Sequence, residues 1–157
     1  MSEMTTSADA SVRVTWRGDR RYEVNRPGAA PATMDGAGEA GPGPVEMLLA
    51  ALAACSAIDV VDYLLKRRTP VVRLEVGVDG VRRATPPRRV LAARLAFAID
   101  GDAIDAEHAE RAIALAIAKY CSVAATLAPD MEIVTQLVLN GVSGADVRQH
   151  VTRGEES

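Results

Sequence analysis

The sequence predicts an α+β domain built on mainly antiparallel strands. One observation is the run PVEMLLAALAACSAIDVVDYLLKR over residues 44–67, the longest apolar stretch, with the length and spacing of a long helix. Another is the period-two alternation of apolar and polar residues on both sides of it. The third is the element order, β-β, long helix, β-β, helix, short helix, β, which lacks the strict strand–helix alternation of a parallel α/β sheet. At 157 residues the chain is one domain-sized unit, able to bury a core without covalent staples.

Residues 1–10 are polar and expected to be disordered. Val12, Val14 and Trp16 then alternate with Arg13, Thr15 and Arg17, as in a half-buried strand. Gly18-Asp19 supplies a two-residue turn, and Arg20 to Asn25 returns through Tyr22 and Val24 as the second strand of a hairpin. Arg17, Arg20 and Arg21 gather near that turn as a solvated edge. Nine of the eighteen residues 27–44 are Gly or Pro, so a mobile coil is expected there. Gly36, Gly38 and Gly41 match the spacing of a dinucleotide-binding fingerprint. No strand delivers them to a helix, and Pro42-Gly43-Pro44 follows, so the match is rejected.

Pro44 suits the first turn of the long helix, Glu46 complements its dipole, and the cations Lys66, Arg67 and Arg68 suit its end before Thr69-Pro70. Apolar residues on nearly every side predict a helix buried all round. A membrane span is the competing reading; Asp59 and Asp62 interrupt the run before it reaches ~20 apolar residues. Two strands follow, one through Val72, Leu74, Val76 and Val78, the other through Leu91, Ala93, Leu95, Phe97 and Ile99, joined by a proline-punctuated connection. Residues 105–120 form a second helix, capped by Asp105, with Ala109, Ala112, Ile113, Ala116 and Ile117 as its apolar stripe. A short helix over 122–127 and a last strand over 131–139 complete the domain, placed at residues 11–141. Residues 142–157 are expected to be a flexible tail.

A net charge of −3 and 3% aromatic residues leave neither the basic patch nor the stacking platforms of a nucleic-acid binder. The polar N-terminus is not a secretory leader, and the chain reads as cytoplasmic. Two cysteines, Cys55 and Cys121, are too few for a disulfide scaffold and lack the neighbours of a metal site. No cofactor is implied. A cysteine acts as a nucleophile only as thiolate, and Asp59 and Asp62, on the Cys55 face of the long helix, oppose that charge. Neither His108 nor His150 is placed to serve as its base. An activating cation must come from elsewhere, Arg20 and Arg21 being the best supply.

The segment GPGPVEMLLAALAACSAID, residues 41–59, together with Lys119-Tyr-Cys-Ser-Val123, resembles the OsmC/Ohr family of thiol peroxidases, and more narrowly its YhfA-like branch. The likeness covers roughly residues 11–141. It implies an OsmC-like fold, with antiparallel sheets around the central helix, in an intertwined homodimer. It also implies that Cys55 attacks an organic hydroperoxide and becomes sulfenic acid, that Cys121 resolves it as a disulfide, and that a dithiol, in several family members a lipoylated one, reduces the bridge. The family's activating pair, a glutamate and an arginine, is assigned by the resemblance to Glu46 and to Arg21, with Arg20 as runner-up, although Val45 holds the family's glutamate position. Glu46 stands one residue later than the family pattern, nine before Cys55, an offset of about 180° on a regular helix. Two other readings remain open at this point, a binding protein for a small lipophilic ligand and a thiol redox sensor.

Overall fold

The computed structural model describes residues 8–154. The expectation of a disordered N-terminus falls largely on residues 1–7, outside the described residues. The chain forms two compact units that divide between Leu48 and Leu49, inside the long helix.

In the first unit, β1 (Arg13–Trp16), β2 (Arg21–Asn25) and β3 (Ala32–Asp35) make an antiparallel sheet in the order β1-β2-β3. The predicted hairpin is present. Gly18 and Asp19 both take positive φ, 103° and 46°, and the turn closes with Arg21 N–H donating to the Gly18 carbonyl at 2.9 Å. The Trp16 indole donates to the Asp19 carbonyl at 3.0 Å.

The expected coil over residues 27–44 is corrected in two respects. It contains β3, and the glycine-rich segment after β3 is pinned by one buried side chain. Asp35 is 1% exposed, and its carboxylate accepts from Ala37 N–H at 2.8 Å and from Ala40 N–H at 2.9 Å. Those amides, Ala40 first and Ala37 next, with smaller help from the Arg21 charge, hold its pKa below the ordinary aspartate value despite burial. Glycine and proline content signals the absence of helix; it does not signal a carboxylate that collects the backbone donors.

Helix α1 runs over Pro44–Lys66 as predicted. Its start is closed by the Glu46 carboxylate, which accepts from Gly43 N–H at 2.7 Å. Its end is closed by Arg68 in the left-handed region, φ 61°, with Thr69 N–H and Thr69 Oγ1 both donating to the Leu64 carbonyl at 3.0 Å. Burial of α1 on all sides is not observed. One stripe, Leu52, Ala53, Ser56, Val60 and Leu64, is buried. Ile58 and Leu65 stay 62% and 53% exposed. By length and composition α1 could cross a membrane, but that stripe belongs to the core of the second unit.

The second unit carries a four-stranded sheet of β4 (Arg73–Arg82), β5 (Val90–Asp100), β6 (Glu132–Leu139) and β7 (Val142–Gln149), in that order. The pairing is antiparallel except for one parallel join between β5 and β6, which the helical segment between them makes possible as a crossover. Leu95, Phe97 and Ile99 of β5 and Ile133 and Leu137 of β6 alternate into the core. Gly80 lies where α1 crosses β4: a Cβ there would sit 2.7 Å from Leu49 Cδ1.

The expected tail from residue 142 is also corrected, because β7 fills most of it. Both faces of this edge strand are largely exposed, so no core pattern marks it. Its hold is lateral. Asp146 accepts from Arg94 Nη2 and Nε at 2.8 and 3.1 Å, Arg148 meets Glu132 at 3.0 Å, and Gln149 donates to the buried Thr135 hydroxyl at 2.9 Å. The turn into it is Asn140-Gly141, both at positive φ.

Asn140 also ties that turn to the end of β5. Its side chain accepts from Gly101 N–H at 2.9 Å and donates to the Gly101 carbonyl at 3.3 Å. A Cβ at Gly101 would lie 2.6 Å from Ile104 Cδ1 and 2.7 Å from the Pro70 carbonyl, and the latter is backbone. Gly101→Ala is therefore expected to lower stability by about 1–3 kcal/mol in urea denaturation. An unchanged midpoint would contradict that close approach.

Candidate active site

Cys121 owes its position to an irregular helix. α2 (Ala106–Leu115) starts at Asp105, whose side chain accepts from His108 N–H at 2.8 Å. The His108 ring is held in turn at 2.5 Å by Asp105 and at 2.5 Å by Arg67, which follows α1. A neutral ring with its proton on Nδ1 satisfies both contacts and fixes the start of α2 against the end of α1. α2 then runs into a π-helical turn, Ala116–Tyr120, and Cys121 N–H donates to the Ala116 carbonyl at 2.8 Å. That turn carries one residue more than an α-turn and ends the helix abruptly. Cys121 itself is extended, φ −68° and ψ 105°, and caps α3 (Ser122–Thr126), its Sγ accepting from Ala124 N–H at 3.3 Å.

Cys55 lies midway along α1, beside the buried Ser56, whose hydroxyl donates back to the Leu52 carbonyl at 2.8 Å. It is partly exposed, whereas Cys121 is 2% exposed, and both are free thiols. The two thiols are near enough for the Cys55 sulfur to act on the ionisation of Cys121. Burial first, and the Cys55 sulfur after it, push the Cys121 pKa up to about 11, against the Ala124 amide, which acts the other way. At neutral pH Cys121 therefore keeps its proton and can offer it to Cys55. The arrangement can bridge two sulfurs by oxidation, with one partly open to solvent and the other sheltered.

A cleft of about 230 Å³ starts one helical turn past Cys55. Asp59, Asp62, Tyr63 and Lys66 of α1 form one wall, and Ala116 and Tyr120 of the π turn stand opposite. Tyr120 directly precedes Cys121 in the chain. Burial and then the charge of Asp62 raise the Asp59 pKa. Among the described residues no cluster of His, Cys, Asp and Glu is arranged to hold a metal ion.

The two other sequence-predicted residues have local partners. Arg21, paired with Asp35 across β2 and β3, places Nε 3.7 Å from the Asp35 carboxylate and Nη2 3.5 Å from Glu39. Glu46 is engaged at the start of α1 by Gly43, as described above. The runner-up Arg20 gives its carbonyl to Gly36 N–H at 3.0 Å. Asp59 and the cleft were not singled out as functional from sequence. The signal available was the four-residue spacing from Cys55, which reads equally as a charge opposing the thiolate.

Comparison with known proteins places this geometry in a family. The family described as "OsmC-like protein" matches residues 36–136. Protein YhfA of Escherichia coli K12 is 43% identical over 95 residues, which cover 60% of this chain and 71% of YhfA. An OsmC-like protein of Mycoplasma pneumoniae superposes with a TM-score of 0.73 at 18% identity, covering 85% of this chain and 99% of that one. The organic hydroperoxide resistance protein OhrB of Bacillus subtilis does so with a TM-score of 0.56 at 17% identity, covering 85% and 100%. At such identities the two structures establish a shared fold.

Proposed function

The chain belongs to the OsmC-like protein family, and from that premise we propose that it is a thiol-dependent peroxidase that reduces organic hydroperoxides. Family membership supports a peroxide-resistance or redox role, and OhrB is by its description an organic hydroperoxide resistance protein. The observation that carries the finer reading is that Cys55 and Cys121, on two different helical segments, lie near enough for one thiol to act on the ionisation of the other. Cys55 attacks the peroxide and becomes sulfenic acid. Cys121, which keeps its proton until attack, displaces that oxygen as water and closes an intramolecular disulfide, and an external dithiol such as a lipoylated protein restores both thiols. Resolution by so close a neighbour protects Cys55 from irreversible oxidation.

The protein acts in this reading as a cytoplasmic homodimer. The exposed apolar residues of each unit support the dimer: Ile58 and Leu65 on α1, and Val12, Val14 and Trp16 on β1. A second reading, a slow thiol redox switch, draws support from Arg21 and Glu46, the expected activating pair, each of which has a local partner.

One equivalent of cumene hydroperoxide added to reduced protein is expected to remove both free thiols and leave a Cys55–Cys121 linkage detectable by peptide mass. Retention of both thiols would sink the disulfide cycle. Bridge formation without turnover in excess dithiol would favour the redox switch.

A further inference from the structure

Reduction of an alkyl hydroperoxide leaves an alkoxide that needs a proton, and neither sulfur is suited to give it. Cys55 must be a thiolate to attack, and the Cys121 proton is required later, when water leaves the sulfenic acid. Asp59 lies four residues past Cys55 on α1, so the two side chains share one face of the helix at roughly 5–6 Å between Cβ atoms. Asp59 forms part of the cleft wall that runs toward Tyr120, the residue before Cys121.

We propose that Asp59 is a catalytic residue of the peroxidase step, the acid that protonates the departing alkoxide at the end of the cleft that begins one helical turn past Cys55. The proposal rests on the peroxidase reading above.

The electrostatics of the cleft favour this role. Asp62, Tyr63 and Lys66 face Asp59 along α1, and Tyr120, with the Lys119 ammonium 5.4 Å from its ring centre, faces it from the π turn. Burial leads and the Asp62 charge follows in raising the Asp59 pKa above the ordinary aspartate value. Both causes favour the protonated carboxyl, the form that does not repel the Cys55 thiolate and can donate a proton.

The step balances. The Cys55 thiolate attacks the oxygen distal to the alkyl group; the S–O bond forms, the O–O bond breaks, and its electron pair leaves on the alkoxide oxygen. Sulfur is oxidised by two electrons and the peroxide reduced by two. The Asp59 proton passes to the alkoxide, giving the alcohol and an Asp59 carboxylate that regains a proton from water in the open cleft. Cys121 then attacks the sulfenic sulfur; the S–S bond forms and the hydroxyl leaves with the Cys121 proton as water.

The test uses the leaving group. tert-Butyl hydroperoxide expels a strongly basic alkoxide, whereas peracetic acid expels acetate, which needs no proton. With dithiol in excess, Asp59→Asn is expected to lower kcat/KM for tert-butyl hydroperoxide by roughly 100-fold while leaving peracetic acid within about twofold. Asp59→Glu is expected to restore most of the loss. Because peracetic acid reports on the integrity of the folded cysteine pair, a structural defect appears as an equal loss on both substrates. Equal loss on both, or no loss on either, overturns the role of Asp59 and leaves the peroxidase reading standing. Wild-type protein that consumes neither peroxide overturns both together.

Discussion

Cys55→Ser is expected to abolish the consumption of cumene hydroperoxide in the presence of dithiol, a fall of about a thousandfold or more toward the uncatalysed rate. Serine keeps the size of the side chain and its place on α1 but has no accessible anion and no soft nucleophile to accept oxygen. The remaining thiol cannot take over. Cys121 is 2% exposed, and burial, aided by Cys55, keeps its pKa near 11, so at neutral pH it is neither ionised nor open to a bulky peroxide. The variant should fold like wild type, because Cys55 is partly exposed and lies outside the buried stripe of α1. Circular dichroism alongside the peroxide assay checks both statements; wild-type turnover in Cys55→Ser would falsify the assignment of the nucleophile.

Asp35→Asn is expected to give the largest loss of stability among single polar substitutions in the first unit, a fall in Tm of roughly 5–10 °C near neutral pH. The carboxylate serves two amides, Ala37 and Ala40, and faces Arg21. An asparagine can accept one of those amides only by turning its own NH2 toward the other or toward the guanidinium. The Asp35 pKa is lowered in the folded chain, so its contribution is fully present above the unfolded value of about 4 and is lost as pH falls through the lower folded value. The gap in Tm between wild type and variant should therefore narrow on acidification below pH ~4. A gap independent of pH down to pH ~2 would show that the ionised form is not what holds the segment.

The parts of the fold legible in the sequence are those whose stability comes from periodic burial. β5 and β6 alternate into the core, and the α2 stripe of Ala109, Ala112 and Ile113 is buried as its spacing predicts. The parts that were not legible are held by polar contacts across long separations. β7 depends on Arg94, 52 residues before Asp146, and on Glu132 and Thr135, which no local pattern connects to it. The Asn140-Gly141 turn that leads into the strand was not read as a signal for it. β3 sits among glycines and prolines because Asp35 gathers the following amides. For α1, composition predicted burial on every side, whereas one chain covers a single stripe. The two cysteines could be named from their sequence contexts, but their approach depends on where the second helix ends.

That ending is set by backbone hydrogen bonding. The π turn holds Cys121 N–H on the carbonyl of Ala116, five residues back, and stops there. Removing one residue between 116 and 120 would restore α-helical bonding and rotate the position of residue 121 by about 100° around the helix. The direction in which residue 121 leaves the helix thus depends on a count of residues. Substitution within Ala116–Tyr120 leaves the count intact, while a single deletion or insertion does not. Sequence drift in this segment is therefore compatible with a preserved thiol pair so long as its length is kept.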